Sequence, residues 1–314
     1  MSDMASDTEP STKTPTVADA TDIRTLCVTG AGQMGGQIAV IAALAGFSVN
    51  LHDISRDQLD RAVAENRKQL ARRVAKGRID QATMDTALER IKLTSDLEDA
   101  AQNCDFAIEA VVEKLGVKRD VFAILDRAAP THAILATNSS YLGNSRIADA
   151  TSRPEQVVNM HFFYPPMVMK LVEVIRGEST SDLTVARTAA LARALGKTPV
   201  VVEKEISGFL VNRILRAITN EAYFLYENGY ASFDDIDRAC EMGLNHPLGP
   251  FKLGDLSGLD VGYNARLAEW QESGDDARRP PASLARKVEA GHLGRKTGKG
   301  FYDYSTDPPS PVDD

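Results

Sequence analysis

A cluster of glycines near the start of the chain is the feature that most restricts its fold. The apolar run Leu26–Thr29 leads into GAGQMG at residues 30–35, which has the spacing GxGxxG. Gly30 permits a tight turn, Gly32 lets the backbone approach a pyrophosphate, and Gly35 lets helix and strand pack closely. The pattern predicts a strand–turn–helix unit that binds a dinucleotide. The residues expected to bind it in this turn are Gly30, Gly32, Gln33, Met34 and Gly35.

An acid follows the second candidate strand, Ser48–Leu51. Asp53 stands 18 residues beyond Gly35, where a carboxylate can accept hydrogen bonds from the ribose hydroxyls of adenosine and repel a 2′-phosphate. Asp53 therefore favours NAD over NADP as the cofactor, while Arg56 nearby argues in the other direction.

The rest of the chain divides at one change of pattern. Up to about Glu203, short β-branched runs alternate with helical stretches, which predicts a Rossmann-type, mostly parallel α/β sheet. From Ser207 onward helical periodicity dominates, which predicts an all-α C-terminal domain. The predicted strands are Thr25–Thr29, Ser48–Leu51, Phe106–Glu109, Ile134–Thr137, Val157–Met160, Leu171–Ile175 and Pro199–Val202. The predicted division is a disordered tail over 1–22, an NAD-binding domain over 23–203, a helical domain over 204–304 and a disordered tail over 305–314.

The charge of the chain is unevenly distributed. Its 314 residues carry 36 basic and 44 acidic side chains, a net charge of −8 that argues against a general nucleic-acid binder. The two predicted tails hold most of that charge, so the folded body is nearly neutral. Residues 66–78, NRKQLARRVAKGR, carry six positive charges and no acid. Such a run is either a solvated helix face or a site for the phosphate of a substrate or carrier.

Other features bear on location and on metals. The three cysteines, Cys27, Cys104 and Cys240, are far apart and form no CxxC pair, which fits a reducing compartment and supplies no metal cluster. The apolar run Ile38–Phe47 is about half the length that a membrane span needs. The N-terminus shows no apolar signal segment. We expect a soluble cytoplasmic protein with no metal and with neither nucleic-acid nor membrane partners.

One histidine stands in a context that suggests catalysis. His161 follows the predicted strand Val157–Met160 and precedes the aromatic loop FFYPP. Glu173 lies 12 residues later among apolar strand residues, where a buried acid needs a partner. A carboxylate that fixes the tautomer of His161 would make the other ring nitrogen a general base. Ser140 after the strand Ile134–Thr137, and Asn212 in GFLVNR, offer groups that bind substrate oxygens, although a helix cap and a surface position explain them equally well.

Together these segments resemble the 3-hydroxyacyl-CoA dehydrogenase family over about residues 23–304. The matching segments are VTGAGQMGGQIA, IEAVVEKLGVKRDVF, ATNSS, NMHFFYPPMVMKLVEVI, SGFLVNRIL, HPLGPFKLGDLSGLD and GRKTGKGFYDY. The resemblance implies NAD-dependent oxidation of an (S)-3-hydroxyacyl-CoA to the 3-oxoacyl-CoA, or the reverse, as in fatty-acid β-oxidation. It also implies a helical domain that contributes to substrate binding and commonly forms a homodimer.

The resemblance assigns roles to individual residues. His161 matches the catalytic base and Glu173 the acid that orients it. Ser140 and Asn212 match residues that bind the reacting oxygens, and Lys76 matches a lysine that contacts CoA. The positions that match cofactor-lining residues are Asp53, Glu113, Lys118, Ser140 and Lys296.

The chain departs from the family pattern in three places. Tyr164 stands where the family has asparagine in HFFNP, Tyr141 interrupts NTSSL, and Gln69 replaces a serine that accompanies the CoA-contacting lysine. We expect the two tyrosines to reshape the acyl pocket. Two other functions stay open at this stage: a related dehydrogenase that acts on a small hydroxy acid without CoA, and an NAD-binding protein without catalysis.

Overall fold

The computed structural model describes residues 22–312, apart from the side chains of residues 272 and 273. The chain divides into two compact units between Leu210 and Val211. Residues 1–21, which hold nearly all of the predicted N-terminal tail, lie outside the described part.

The first unit is built on one eight-stranded sheet in the order β3-β2-β1-β4-β5-β6-β7-β8. Neighbouring strands are parallel except β6 and β7, which are antiparallel. The order 3-2-1-4-5-6 is that of a dinucleotide-binding sheet, and the chain reverses its direction of winding between β1 and β4. The strands are β1 Thr25–Thr29, β2 Ser48–His52, β3 Ile91–Thr94, β4 Phe106–Glu109, β5 Ile134–Thr137, β6 Val157–Phe162, β7 Leu171–Ile175 and β8 Thr198–Val202.

Helices cover both faces of this sheet. Alternate residues of the central strands enter two separate apolar layers: Leu26 and Val28 pack with α1 and α7, and Cys27 packs with α4, α5 and α6. The central strands are therefore buried on both sides, as β4 is along its whole length. The helices are α1 Gln33–Leu44, α2 Arg56–Ala75, α3 Gln81–Glu89, α4 Leu97–Ala101, α5 Leu115–Ala128, α6 Asn144–Ala148 and α7 Asp182–Ala194.

The second unit is helical and has an aromatic core. Tyr223, Phe233, Phe251 and Phe301 pack with ring centroids 4.7–6.0 Å apart. The buried carboxylate of Asp255 accepts hydrogen bonds from the backbone N–H groups of Phe301 and Tyr302, at 3.0 and 2.9 Å. Its elements are α8 Val211–Glu227, α9 Phe233–Gly243, α10 Pro250–Ser257, α11 Leu259–Ser273, α12 Ala282–Glu289, β9 Tyr302–Asp303 and β10 Ser310–Pro311.

The predicted fold class is confirmed: a mostly parallel Rossmann-type sheet precedes a helical region, which also holds the short two-stranded ribbon β9–β10. The strand β3 was not predicted from the sequence. Within the predicted tail over residues 305–314, β10 pairs with β9 and the N–H of Val312 donates to the Phe301 carbonyl at 2.9 Å. Among residues 22–312, no helix is both long enough and apolar enough to cross a membrane.

Candidate active site

The glycine turn between β1 and α1 is packed too tightly for side chains at two of its three glycines. Gly30 has φ +95°, and a Cβ there would lie 2.5 Å from the Ala110 carbonyl oxygen. A Cβ on Gly35 would lie 1.8 Å from the carbonyl oxygen of Gly30. A Cβ on Gly32, by contrast, would meet nothing within 4 Å. The fold itself therefore requires Gly30 and Gly35, whereas the space beside Gly32 suits a close ligand.

The start of α1 offers donors to an anion at this turn. Gly32 is the N-cap residue, and no side chain caps the helix. Uncapped N–H groups in the first turn favour phosphate. Gln33 is exposed in this first turn, whereas the side chain of Met34 packs against the apolar layer beneath.

A pocket of about 430 Å³ opens beside the turn. Asp53 lines it, and its two carboxylate oxygens accept hydrogen bonds from the N–H groups of Ala31 and Ser55 at 2.8 and 2.9 Å. A carboxylate has about four acceptor positions, so Asp53 retains capacity for ligand hydroxyls. Ile54 and Val112, 90% and 60% exposed, supply apolar walls for a flat ring. These residues fit the adenosine half of NAD.

The register between β6 and β7 sets His161 directly opposite Glu173. The Nδ1 atom of His161 lies 2.9 Å from a Glu173 carboxylate oxygen, and both residues are buried. The carboxylate places the ring proton on Nδ1, which leaves Nε2 as an acceptor. The hydroxyl of Ser140 lies 3.1 Å from that Nε2 atom. Three predicted catalytic residues thus form one hydrogen-bonded chain.

A single carboxylate holds the loop that carries Ser140. Glu113 accepts hydrogen bonds from the Ser139 hydroxyl at 2.5 Å and from the N–H groups of Ser140 and Tyr141 at 3.1 and 3.2 Å. Burial alone would raise the pKa of Glu113, but the charge of Lys118 and the Ser139 hydroxyl outweigh it and lower that pKa. Glu113 therefore stays ionised at neutral pH.

Lys118 sits between two acids beneath this loop. Its ammonium lies 2.8 Å from Glu109 and 3.1 Å from Glu113, and its side chain is 1% exposed. Glu109, fully buried, also accepts hydrogen bonds from the Thr137 hydroxyl and the Val111 N–H, both at 2.7 Å. Glu109 was not predicted as a site residue from the sequence. Like Glu173, however, it is an acid in an otherwise apolar strand, FAIE.

The last residues of the first unit contact the histidine–carboxylate pair. The N–H of Leu210 donates to Glu173 at 3.0 Å, on the oxygen that His161 does not use. The ring of Phe209 meets the His161 ring edge-on, with centroids 5.3 Å apart. Phe209 has φ +48°, a left-handed conformation that is strained for a bulky residue. The sequence gives no sign of this role except the adjacent Gly208.

Three further predicted site residues lie elsewhere. Lys76 is exposed at the C-terminal cap of α2. Asn212 and Lys296 belong to the second unit: Asn212 is half-buried in the first turn of α8, and Lys296 pairs with Asp260 at 2.5 Å. The roles of these three residues stay predictions.

The sheet order, the glycine turn and the acid after β2 define a dinucleotide-binding oxidoreductase of the Rossmann class. Residues 25–206 match the model of the 3-hydroxyacyl-CoA dehydrogenase NAD-binding domain, and residues 208–304 match that of the C-terminal domain. The chain belongs to the 3-hydroxyacyl-CoA dehydrogenase family, whose members are oxidoreductases that act on a CH–OH group. The predicted resemblance is confirmed.

Individual relatives agree with this assignment. The probable 3-hydroxybutyryl-CoA dehydrogenase of Bacillus subtilis is 42% identical over 283 residues, which cover 90% of this chain and 98% of the relative. The fatty acid oxidation complex subunit alpha of Pseudomonas putida is 41% identical over 298 residues, 92% of this chain but 40% of that protein. The crystal structure of the (S)-3-hydroxybutyryl-CoA dehydrogenase of Ralstonia eutropha has a TM-score of 0.82 and 39% identity, and the match covers 91% of this chain and all of that one.

Gly32→Ala separates cofactor binding from folding. Because a Cβ at Gly32 meets open space in the protein alone, the free energy of unfolding should change by less than about 0.5 kcal/mol. The Kd for NADH should rise at least about tenfold, since the methyl group would occupy the approach of the pyrophosphate. Gly35→Ala, which clashes with backbone, should lose both stability and binding. Unaltered NADH affinity in Gly32→Ala would remove this turn from the cofactor site.

Proposed function

We propose that the protein catalyses the reversible, NAD-dependent oxidation of (S)-3-hydroxyacyl-CoA to 3-oxoacyl-CoA. The observation that carries this proposal is the hydrogen-bonded chain Ser140–His161–Glu173 on a sheet of dinucleotide-binding order. In that chain the acceptor nitrogen of a buried histidine is directed at a hydroxyl. The same arrangement suits the removal of a proton from a substrate alcohol.

The proposed proton transfer uses the three residues in turn. The Nε2 atom of His161 takes the proton of the 3-hydroxyl group, and Glu173 stabilises the imidazolium that forms. Ser140 holds the alcohol oxygen against Nε2. Since Leu210 occupies the second oxygen of Glu173, the carboxylate cannot rotate freely, so the imidazole keeps its tautomer and its orientation.

The cofactor would be held by the turn at residues 30–35, with Asp53 on the adenosine ribose and Glu113, Lys118, Ser140 and Lys296 toward the nicotinamide end. Bound NAD supplies the acceptor for the hydride that leaves C3. Glu113 and Lys118 also have a structural part in this proposal: their ion pair anchors the backbone of the Ser140 loop. That anchoring fixes the distance between the substrate oxygen and His161.

The CoA thioester would be recognised by residues outside the reaction centre. We assign Asn212 to the thioester oxygen and Lys76 to the CoA moiety. Lys76 caps the C-terminal end of α2, and residues 67–76 carry five cations, each of them half or fully exposed. An exposed cationic helix end suits a phosphorylated carrier better than a small hydroxy acid.

His161→Gln and Glu173→Gln test the proposed base. Each should lower kcat/KM for the reduction of acetoacetyl-CoA by about 10²–10⁴-fold, because a positioned general base is lost, while the Kd for NADH stays within about twofold. Turnover is followed by NADH absorbance. His132→Gln is the matched control, since the side chain of His132 is 57% exposed and pairs with Asp105, away from the Ser140–His161–Glu173 chain.

Near-normal turnover in His161→Gln would refute the assignment. The same assay on the unsubstituted protein distinguishes the other two functions. Oxidation of free 3-hydroxybutyrate, with no activity on its CoA thioester, would indicate a hydroxy-acid dehydrogenase. NADH binding without turnover of either would indicate a binding protein.

Tyr141 and Tyr164 should set the acyl-chain preference. Tyr164 is 58% exposed and lines a pocket of about 300 Å³ together with Gln37 and Gln69, and Tyr141 follows Ser140. Tyr164→Asn and Tyr141→Ser should enlarge the pocket and shift the kcat/KM ratio between long-chain and four-carbon substrates by about tenfold toward long chains. Tyr164→Phe keeps the volume and should leave the profile unchanged. Identical profiles in all variants would contradict the proposal.

We further propose that the enzyme is a homodimer. The helix α8 carries several apolar side chains in contact with solvent, including Ile214 at 61% and Phe224 at 51% exposure, and such groups favour a protein contact. Light scattering should give twice the chain mass of 34.0 kDa, and Ile214→Glu should shift it toward the monomer. Leu183→Glu, at a residue 65% exposed in the first unit, should not. A monomeric unsubstituted protein would exclude the dimer.

We also assign the enzyme to the cytoplasm. This assignment is supported by the free thiols of Cys27, Cys104 and Cys240, which suit a reducing compartment. Recovery of the protein in the membrane or periplasmic fraction of cells would contradict it.

A further inference from the structure

A third pocket of the first unit, of about 440 Å³, is lined by cations that take no part in the proposed proton and hydride transfer. Three cations line it, and they come from three separate segments: Arg73 from α2, Lys170 from the residues before β7, and Lys197 from the turn between α7 and β8. No acid is among the residues that line this pocket. The other walls are mainly apolar, with Ile41, Leu44 and Leu195 among them.

One of these cations, Lys197, is held in place by the fold. The ammonium group of Lys197 donates to the carbonyl oxygens of Pro166 and Met169, at 2.5 and 2.8 Å. These two bonds use two of its three N–H donors and fix the group at the pocket. Burial, and then the neighbouring charge of Arg73, lower the pKa of Lys197. A second cation held close to Lys197 is unfavourable by itself and becomes favourable when an anion lies between them.

Apolar walls strengthen the attraction between an anion and these cations. Electrostatic attraction is weak between fully solvated charges and much stronger where low-dielectric walls exclude water. Arg73 and Lys197 are half-buried, and Lys170 is exposed. A planar guanidinium and two ammonium groups that converge from different segments suit an oxyanion with several acceptor oxygens, as in a phosphate group.

The position of the pocket indicates where such a group would come from. The pocket that Tyr164 lines also contains Gln37 of α1 and Gln69 of α2. The cationic pocket contains Ile41 and Arg73, each one helical turn further along the same helices, a rise of about 6 Å. The two pockets therefore follow each other along α1 and α2. A ligand with an uncharged arm in the first and a phosphate in the second would span both.

We propose that Arg73, Lys170 and Lys197 form a binding site for a phosphoryl group, which in the proposed reaction belongs to the CoA carrier. The assignment to CoA rests on the proposed function. The site is separate from Lys76, which does not line this pocket. At this site the binding energy comes from the phosphorylated end of the substrate and not from its acyl group.

Arg73→Gln and Lys170→Gln, singly and together, test this site. Lys197 stays unchanged because it also holds two carbonyl groups. Each single variant should raise the KM for acetoacetyl-CoA about tenfold, since one charge-assisted contact is lost, and kcat should not change. The KM for the acetoacetyl thioester of N-acetylcysteamine, which has no phosphate, should be the same in all proteins. Arg90→Gln, at an exposed arginine after α3, removes the same charge as a control.

Equal losses on both thioesters would overturn the site, and so would no loss on either together with an unchanged affinity for inorganic phosphate. Titration calorimetry with CoA, 3′-dephospho-CoA and inorganic phosphate identifies the source of the phosphoryl group. Loss of affinity in the variants for CoA but not for 3′-dephospho-CoA assigns the 3′-phosphate, and loss for both assigns the pyrophosphate. Loss for inorganic phosphate alone keeps the site but removes its link to CoA. If the unsubstituted protein turns over neither thioester, the proposed function fails, and the calorimetry still decides the site.

Discussion

The reversal of strand direction between β6 and β7 is the constraint on which the site depends. Strands β1 to β6 run parallel, so Asp53, Glu109, Ser140 and His161 all come to the same edge of the sheet. Glu173 reaches His161 because β7 returns antiparallel and in register with β6. A shift of one residue in that pairing would turn Glu173 to the other face of the sheet. The register of a single hairpin thus determines whether the histidine has an acid partner.

Buried charge stabilises the arrangement only because each group is compensated. Lys118 removed from water would be costly alone, but it lies within hydrogen-bond distance of Glu109 and Glu113. Glu113 in turn orients three consecutive residues that include Ser140. Strand β4, helix α5 and the loop after β5 are therefore joined through one ammonium group. Through these contacts Glu109 and Lys118 are connected to the Ser140 hydroxyl that lies against His161.

The sequence predicts those parts of the fold and the site that are marked by a pattern of neighbouring residues. Seven strands were predicted because each is a β-branched run, and the pairing of His161 with Glu173 because an acid stood among apolar strand residues. Strand β3, Ile91–Thr94, was missed since it lies at the edge of the sheet and two of its four residues are polar. Lys118 is assigned to the site by the family resemblance alone, because its burial depends on Glu109 in a different element and not on any local pattern. The left-handed backbone conformation of Phe209 cannot be predicted from its residue type.

That strained segment has a mechanical consequence. Leu210 is the last residue of the first unit, and its N–H binds the carboxylate that orients the proposed base. The chain therefore leaves the sheet domain directly after a residue that is hydrogen-bonded to Glu173. A displacement of Leu210 would disturb this hydrogen bond to Glu173 directly. In such a protein, a substitution in the connecting segment would act as a change in catalysis while the two folded units remain intact.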